Sequence, residues 1–267
     1  MSSARDIRLI AIDLDGTLLR DDKTIAPRVR DAVLRAAAQG IRIVLASARP
    51  PRTVRAFYRE LQLDTPQVNY NGALIWDEPG QSVVDHRPMA SAIASELIAQ
   101  VRHIEANVLV SCEILDRWHT DRTDNRFMTA SAWLFPPDVI APLQEFGHHD
   151  VTKLMLQGPP AMMDRLADRL RHPQVKLART DPDLLQYMSV DAGKGLGLKR
   201  LCERLDVPLA HAMAIGDNEN DIEMLQVAGL GVAMGHASAA VKAAAQLVVA
   251  SNMHDGVAEA INICLAR

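Results

Sequence analysis

Residues 7–12, IRLIAI, form an apolar run that stops at Asp13-Leu14-Asp15-Gly16-Thr17. Such a run, rich in branched side chains, suits a strand covered on both faces in the middle of a parallel sheet. The polar turn that closes it places two carboxylates at the strand's carboxyl end, where open α/β sheets bind their ligands. The neighbouring segments agree with a parallel sheet. Residues 27–39 read as a helix, with Pro27 at its first position and Gly40 at its stop. Residues 41–47, IRIVLAS, read as a second buried strand, with a helix after it from about Arg52 to Leu61. Residues 68–76 read as a strand and turn marked by Asn71-Gly72. Strand and helix alternate again over 195–266, with helices at 195–205, 221–228, 241–246 and 255–266 and strands at 211–216, 230–234 and 247–250. The alternation implies an α/β fold, a Rossmann-like parallel sheet with crossover helices.

The middle of the chain is different. Strands are expected at 107–116, 153–158 and 184–190, with a helix at 160–171 and denser Pro, Gly and Asp punctuation. Residues 82–187 therefore read as an inserted, smaller α+β cap domain. Residues 1–81 and 188–267 read as the α/β core domain.

Bulk properties remove several functions. The chain of 267 residues has a formal net charge of −4 and only 4% aromatics, so neither a basic footprint nor stacking platforms point to nucleic acid. No stretch approaches the ~20 apolar residues of a membrane helix. Cys112, Cys202 and Cys264 are dispersed and make no zinc pattern, as expected of reduced thiols in a cytoplasmic protein. A monomer or weak homodimer is expected.

Four segments carry chemistry. In the first, Asp13 and Asp15 can divide labour between nucleophilic attack on phosphorus and proton transfer. Gly16 lets the backbone approach a phosphate, and Thr17 orients the turn. In the second, Gly216-Asp217-Asn218-Glu219-Asn220-Asp221 gathers hard oxygen ligands suited to Mg²⁺. Asp217 is the direct ligand, Asp221 a second or outer one, and Asn220 orients them. In the third, Ser47-Ala48-Arg49 ends the second strand with a hydroxyl and backbone N–H groups for phosphate oxygens. In the fourth, Lys194 lies between Gly193 and Gly195 at a helix start, where an ammonium can neutralise phosphate or carboxylate. Phosphate approaches two aspartates only if cations compensate, and Mg²⁺ with Lys194 supplies that compensation.

Taken in chain order, Asp13–Thr17, Ser47, Lys194 and Gly216–Asp221 resemble the haloacid dehalogenase-like hydrolase superfamily, over nearly the whole chain. The resemblance implies that Asp13 is the nucleophile and Asp15 the general acid and base. It implies that Ser47 and Lys194 hold phosphate, and that Asp13, the Asp15 carbonyl and Asp217 hold Mg²⁺ with Asp221 in support. The long insert between Ser47 and Lys194 looks like a class II cap. Asn71-Gly72-Ala73 and the segment from Ser251 to Ala258 look like the Cof-type subgroup, which implies that Asn71 lies near the substrate and that Asn252 and Asp255 lie near the active-site rim. Two positions depart. Ala48 stands where the group has Gly, and Gln186 stands near where a Glu is common. The expected activity is Mg²⁺-dependent hydrolysis of small phosphorylated metabolites, with sugar phosphates the leading class. The alternatives are a phosphohexomutase with the same apparatus and a non-catalytic binding protein on this scaffold. His119, Arg122, Arg126 and Lys153 are candidate leaving-group contacts in the cap. Trp118 and Trp133 are expected in its core, and Met155, Met162, Met163 and Met188 in its packing.

Overall fold

The computed structural model describes residues 6–124, 126, 134–146 and 148–266. The chain divides into two compact units, Met1–Asp85 with Gly193–Arg267, and His86–Ala192. Trp133 lies outside the described residues.

The first unit is built on a five-stranded parallel sheet. Its order is β14 (Leu247–Val248), β13 (Leu230–Ala233), β12 (Ala212–Gly216), β1 (Leu9–Ile12) and β2 (Arg42–Leu45). β1 and β12 are buried along their whole length, as continuous apolar runs require. On one face Ile10, Ile12, Ile43 and Leu45 pack with α1 (Pro27–Ala38) and the last helix, Gly256–Leu265. On the other, Leu9, Ala11, Val44 and Ala214 pack with Leu198, Leu201, Met224 and Leu225. These come from the helices Lys194–Arg204 and Ile222–Val227. A second helix, α2, spans Pro51–Glu60. The Asn71-Gly72 turn joins β3 (Gln67–Asn69) to β4 (Leu74–Asp77), antiparallel with Gln67 opposite Trp76. β5 (Ser82–His86) completes that three-stranded sheet.

The second unit carries an antiparallel sheet in the order β10 (Val175–Asp181), β11 (Leu184–Ser189), β9 (Lys153–Gln157), β6 (Leu109–Ile114), β7 (Arg117–Thr120) and β8 (Val139–Ile140), with β7 and β8 parallel. The two-residue side-chain period sorts its faces. Val110, Cys112, Leu154, Leu156, Leu185 and Tyr187 face the core formed with α3 (Ser91–Ile104) and α4 (Pro160–Arg169). Met162 and Met163 belong to that core, while Trp118, Met155 and Leu184 form a separate buried cluster.

His119 lies on the helix-covered side, 8% exposed, with its ring centroid 5.2 Å from that of Phe146. Among the described residues neither buried ring nitrogen has a hydrogen-bond partner. Burial disfavours the imidazolium and, with Arg117, pushes the pKa below the ordinary 6.5. The unfolded chain then binds the proton more readily than the folded one. The stabilisation is fully present above the ordinary pKa and is lost as pH falls below it. Between about pH 7.5 and about pH 5.5 the unfolding midpoint of this unit is expected to drop, and His119→Leu to reduce that drop, as measured by chemical denaturation. An equal pH response in the variant would refute the assignment.

Candidate active site

Three neighbouring strands bring the motifs together at their carboxyl ends. β1 stops before Asp13, β2 before Ser47 and β12 before Asp217. Lys194 opens the next helix, α5 (Lys194–Arg204), and is 1% exposed. Its Nζ lies 2.5 Å from Asp13 Oδ1 and 2.6 Å from Asp221 Oδ1. Asp221 is fully buried, and its Oδ2 accepts the backbone N–H groups of Asp217 and Asn218, both at 3.0 Å. Both Asp221 oxygens are thereby committed to holding the site together. Thr17 Oγ1 donates to Asp217 Oδ1 at 2.7 Å. Carboxylate oxygens of Asp13, Asp217 and Asp221 lie within 4.8 Å of one another.

Two close approaches make this convergence possible. Gly16 has φ +84°, and a Cβ there would lie 2.4 Å from Asp217 Oδ2. Gly72 has φ +87°, and a Cβ there would lie 2.1 Å from the carbonyl oxygen of Gly193, beside Lys194. The Ser47 turn is tied to the neighbouring strand. Ser47 N–H donates to the Val68 carbonyl (2.8 Å), and Asn71 N–H donates to the Ser47 carbonyl (3.0 Å). Asn71 Oδ1 in turn accepts from Asn220 Nδ2 at 3.0 Å, so these two predicted residues do meet. Ser47 is buried, and its Oγ accepts the Arg49 N–H at 3.1 Å. Ala48 replaces the expected glycine without strain, because its φ is not positive.

The charges of the cluster do not cancel. Three carboxylates face one ammonium, which leaves two negative charges, matching a divalent cation. Burial, with the charge of Asp221, pushes Asp13 well above the usual carboxylate range. Burial also raises Asp217, against the hydrogen bond from Thr17. For Lys194, burial opposes the charge, but Asp13 and Asp221 override it and hold the ammonium above its ordinary value. Lys194 and Thr17 occupy one oxygen of Asp13 and one of Asp217; the second oxygen of Asp217 has His236 Nε2 3.5 Å away, beyond hydrogen-bond length, and can still turn to a cation with that of Asp13. Hard oxygen donors of this kind fit Mg²⁺, which takes one or two carboxylates and completes its shell with water and phosphate.

Asp15 is placed differently. Arg49 forks onto it, Nε to Oδ2 at 2.7 Å and Nη2 to Oδ1 at 2.5 Å, and Lys23 Nζ reaches Oδ1 at 2.9 Å. Burial would raise Asp15, but the Arg49 and Lys23 contacts outweigh it and hold the carboxyl below its ordinary value. Arg49 thus meets a carboxylate, whereas the sequence suggested a phosphate contact. Lys23 went unnoticed because nothing in the order Asp21-Asp22-Lys23 separates it from a solvated turn. His236, with Nε2 3.5 Å from Asp217 Oδ2, was also missed. The rule that places ligands beyond strand ends would have found it, since it lies just beyond β13.

The candidates within the inserted segment have partners of their own. His119 is enclosed with Phe146, Arg122 pairs with Asp121 at 3.0 Å, and Arg126 folds onto Asp124 at 2.6 Å. Lys153 is buried on β9, opposite Glu113.

Comparison with known proteins places this geometry. The profile of the family described as haloacid dehalogenase-like hydrolase matches residues 10–261. A 5-amino-6-(5-phospho-D-ribitylamino)uracil phosphatase of Bacillus subtilis is 30% identical over 94% of this chain and 94% of its own. A pyridoxal phosphate phosphatase of Escherichia coli is 31% identical over 95% of this chain and 97% of its own. The crystal structure of a haloacid dehalogenase-like hydrolase from Bacteroides thetaiotaomicron superposes with a TM-score of 0.84 at 28% identity, covering 96% of this chain and 99% of that one. With its family profile matched over nearly its whole length, the chain belongs to the haloacid dehalogenase-like hydrolases.

Proposed function

We propose that this protein is a phosphatase of small phosphorylated metabolites, with sugar phosphates as the leading class, working through an aspartyl-phosphate on Asp13. The observation that carries this reading is the Lys194 ammonium set between Asp13 and Asp221, with Asp217 beside them. A buried carboxylate at a strand end, held by a cation, is a positioned nucleophile. The named relatives that hydrolyse pyridoxal phosphate and a phosphoribityl-aminouracil support the same class of substrate.

The reaction balances over two halves. An Asp13 oxygen attacks phosphorus, the P–O bond to the leaving alcohol breaks, and Asp15 delivers a proton to the leaving oxygen. Asp15 then takes a proton from water, whose oxygen attacks phosphorus and frees Asp13. The products are the alcohol and inorganic phosphate. Asp15 rests as a carboxylate under Arg49 and Lys23, which suits the second half. The proton for the first half can arrive on the substrate, since a phosphate monoester carries one below its second pKa of about 6. Ser47, buried with its hydroxyl at the strand end, and the Lys194 ammonium hold the phosphoryl oxygens in line. Asp13 and Asp217, with Asp221 in support, would hold Mg²⁺, which would supply charge neutralisation worth several kcal/mol. In this reading residues 82–187 act as the cap that selects the leaving group and excludes water.

Three outcomes are expected. Asp13→Asn abolishes phosphate release from a panel of phosphorylated metabolites while circular dichroism stays native; near-normal turnover would remove Asp13 from the mechanism. A chelator stops turnover and added Mg²⁺ restores it; full activity in metal-free buffer would refute the metal assignment. Lys194→Met strands two buried carboxylates and lowers core stability in metal-free buffer by about 3–5 kcal/mol in urea unfolding. A variant as stable as the parent would show that the ammonium does not balance them.

A further inference from the structure

The loop between β1 and α1 runs from Asp13 to Ala26 and carries both Asp15 and Lys23. It is a narrow hairpin. Leu19 bridges Asp15 on one side and Ile25 on the other, Arg20 N–H donates to the Thr24 carbonyl at 2.9 Å, and Lys23 sits at the tip with φ 65°. Lys23 is exposed, and only the hairpin's position brings its ammonium to Asp15. A single long side chain in water holds such an ion pair weakly. Something must fix the hairpin if Lys23 is to matter.

The fixing group comes from the segment beyond β14. Asn252 is 6% exposed, and its Nδ2 donates to the Leu19 carbonyl at 3.0 Å and to Asp21 Oδ1 at 3.2 Å. Leu19 and Asn252 are 233 positions apart. The turn that presents Asn252 is itself braced. The His254 and Gly256 N–H groups donate to the Ser251 carbonyl at 3.0 and 3.1 Å, and Asp255 adopts φ 58°. Asp255 adds longer ion pairs to Arg20 (3.6 Å) and Arg28 (3.9 Å). Both exceed hydrogen-bond length, so the directional hold falls to Asn252.

We propose that Asn252 is a positioning residue that latches the hairpin so that Lys23 stays on Asp15. The proposal rests on the reading of Asp15 as the proton-transfer group. Asn252 touches no reacting atom. Its amide fixes Leu19 and Asp21, the hairpin fixes Lys23, and Lys23 with Arg49 fixes the Asp15 carboxylate.

The test is a double-mutant cycle, assayed with Mg²⁺ and the sugar phosphate that the panel turns over fastest. Asn252→Ala lowers kcat about tenfold, the equivalent of one lost hydrogen bond, with KM nearly unchanged. Lys23→Met lowers kcat as well, and the double variant is little worse than Lys23→Met alone. Hydrogen exchange quickens at residues 18–25 in Asn252→Ala and stays at parental rates in β12. A purely structural asparagine would lower the melting temperature and leave kcat at 25 °C intact, and that result overturns the latch. So does a double variant whose loss is the product of the two single losses. If Asn252→Ala does not fold, Asn252→Leu keeps the branched shape without the donor and without a new charge beside Asp21, and is read the same way. Absence of phosphate release by the parent enzyme would sink the phosphatase reading, and unchanged exchange at 18–25 would then still sink the latch.

Discussion

The active end of the sheet depends on one buried cation. Lys194 is almost fully enclosed, and an ammonium without a partner in that position would cost several kcal/mol. Asp13 and Asp221 supply the partners, from strands β1 and β12 by way of their adjoining turns. That single requirement sets several others. Helix α5 must start within reach of both carboxylates, so Gly193 must lie against Gly72, and that contact leaves no room for a side chain at residue 72. Asp221 must turn back toward Lys194, and its second oxygen then organises the backbone of Asp217 and Asn218. Asp217 is thereby fixed from behind by its own N–H and from the side by Thr17. The ammonium does not complete the balance, because three carboxylates surround it. The residual negative charge is what makes the cluster a place for a divalent cation rather than a closed salt bridge.

The core was legible because its constraints are local and repeated. Continuous apolar runs at 7–12 and 211–216 state that both faces are covered, and the structure buries both strands throughout. Pro27 and Gly40 bracket α1, which ends at Ala38 with Gly40 at φ +84°. Asn71-Gly72 marked a reversal, and there Tyr70, Asn71 and Gly72 all take positive φ, a tighter turn than the two-residue signal alone describes. The second unit was read less completely. Helix α3 and strands β7, β8 and β10 were not anticipated, nor was β5 at the end of the first unit's small sheet. β7 reads Arg-Trp-His-Thr, with no apolar alternation to reveal it, and it is held by pairing to β6 and β8. Tertiary pairing there overrides a weak local pattern.

The same contrast runs through the site. Asp13, Ser47, Lys194 and Asp217 stand where motif spacing put them, because strand ends are a property of the fold. What Arg49, Lys23 and Asn252 touch is set by side-chain direction and by chain segments far apart in sequence, which spacing does not encode. Arg49 is the instructive instance. A guanidinium two residues beyond Ser47 suits a phosphate as well as it suits a carboxylate, since its fork matches both. In the structure the carboxylate takes it, and Arg49 also lies over the Phe57 ring, 5.8 Å from its centroid.

That choice has a chemical consequence on the proposed reading. Asp13 and Asp15 are two residues apart, yet their surroundings push them in opposite directions. Burial raises Asp13 and cationic partners lower Asp15. Asp13 faces the buried Lys194 ammonium, whereas Asp15 is held by Arg49, which is part-exposed, and by Lys23, which is exposed. The attacking group is therefore rigidly set, and the setting of the proton-transfer group depends on Arg49 and on the hairpin that carries Lys23.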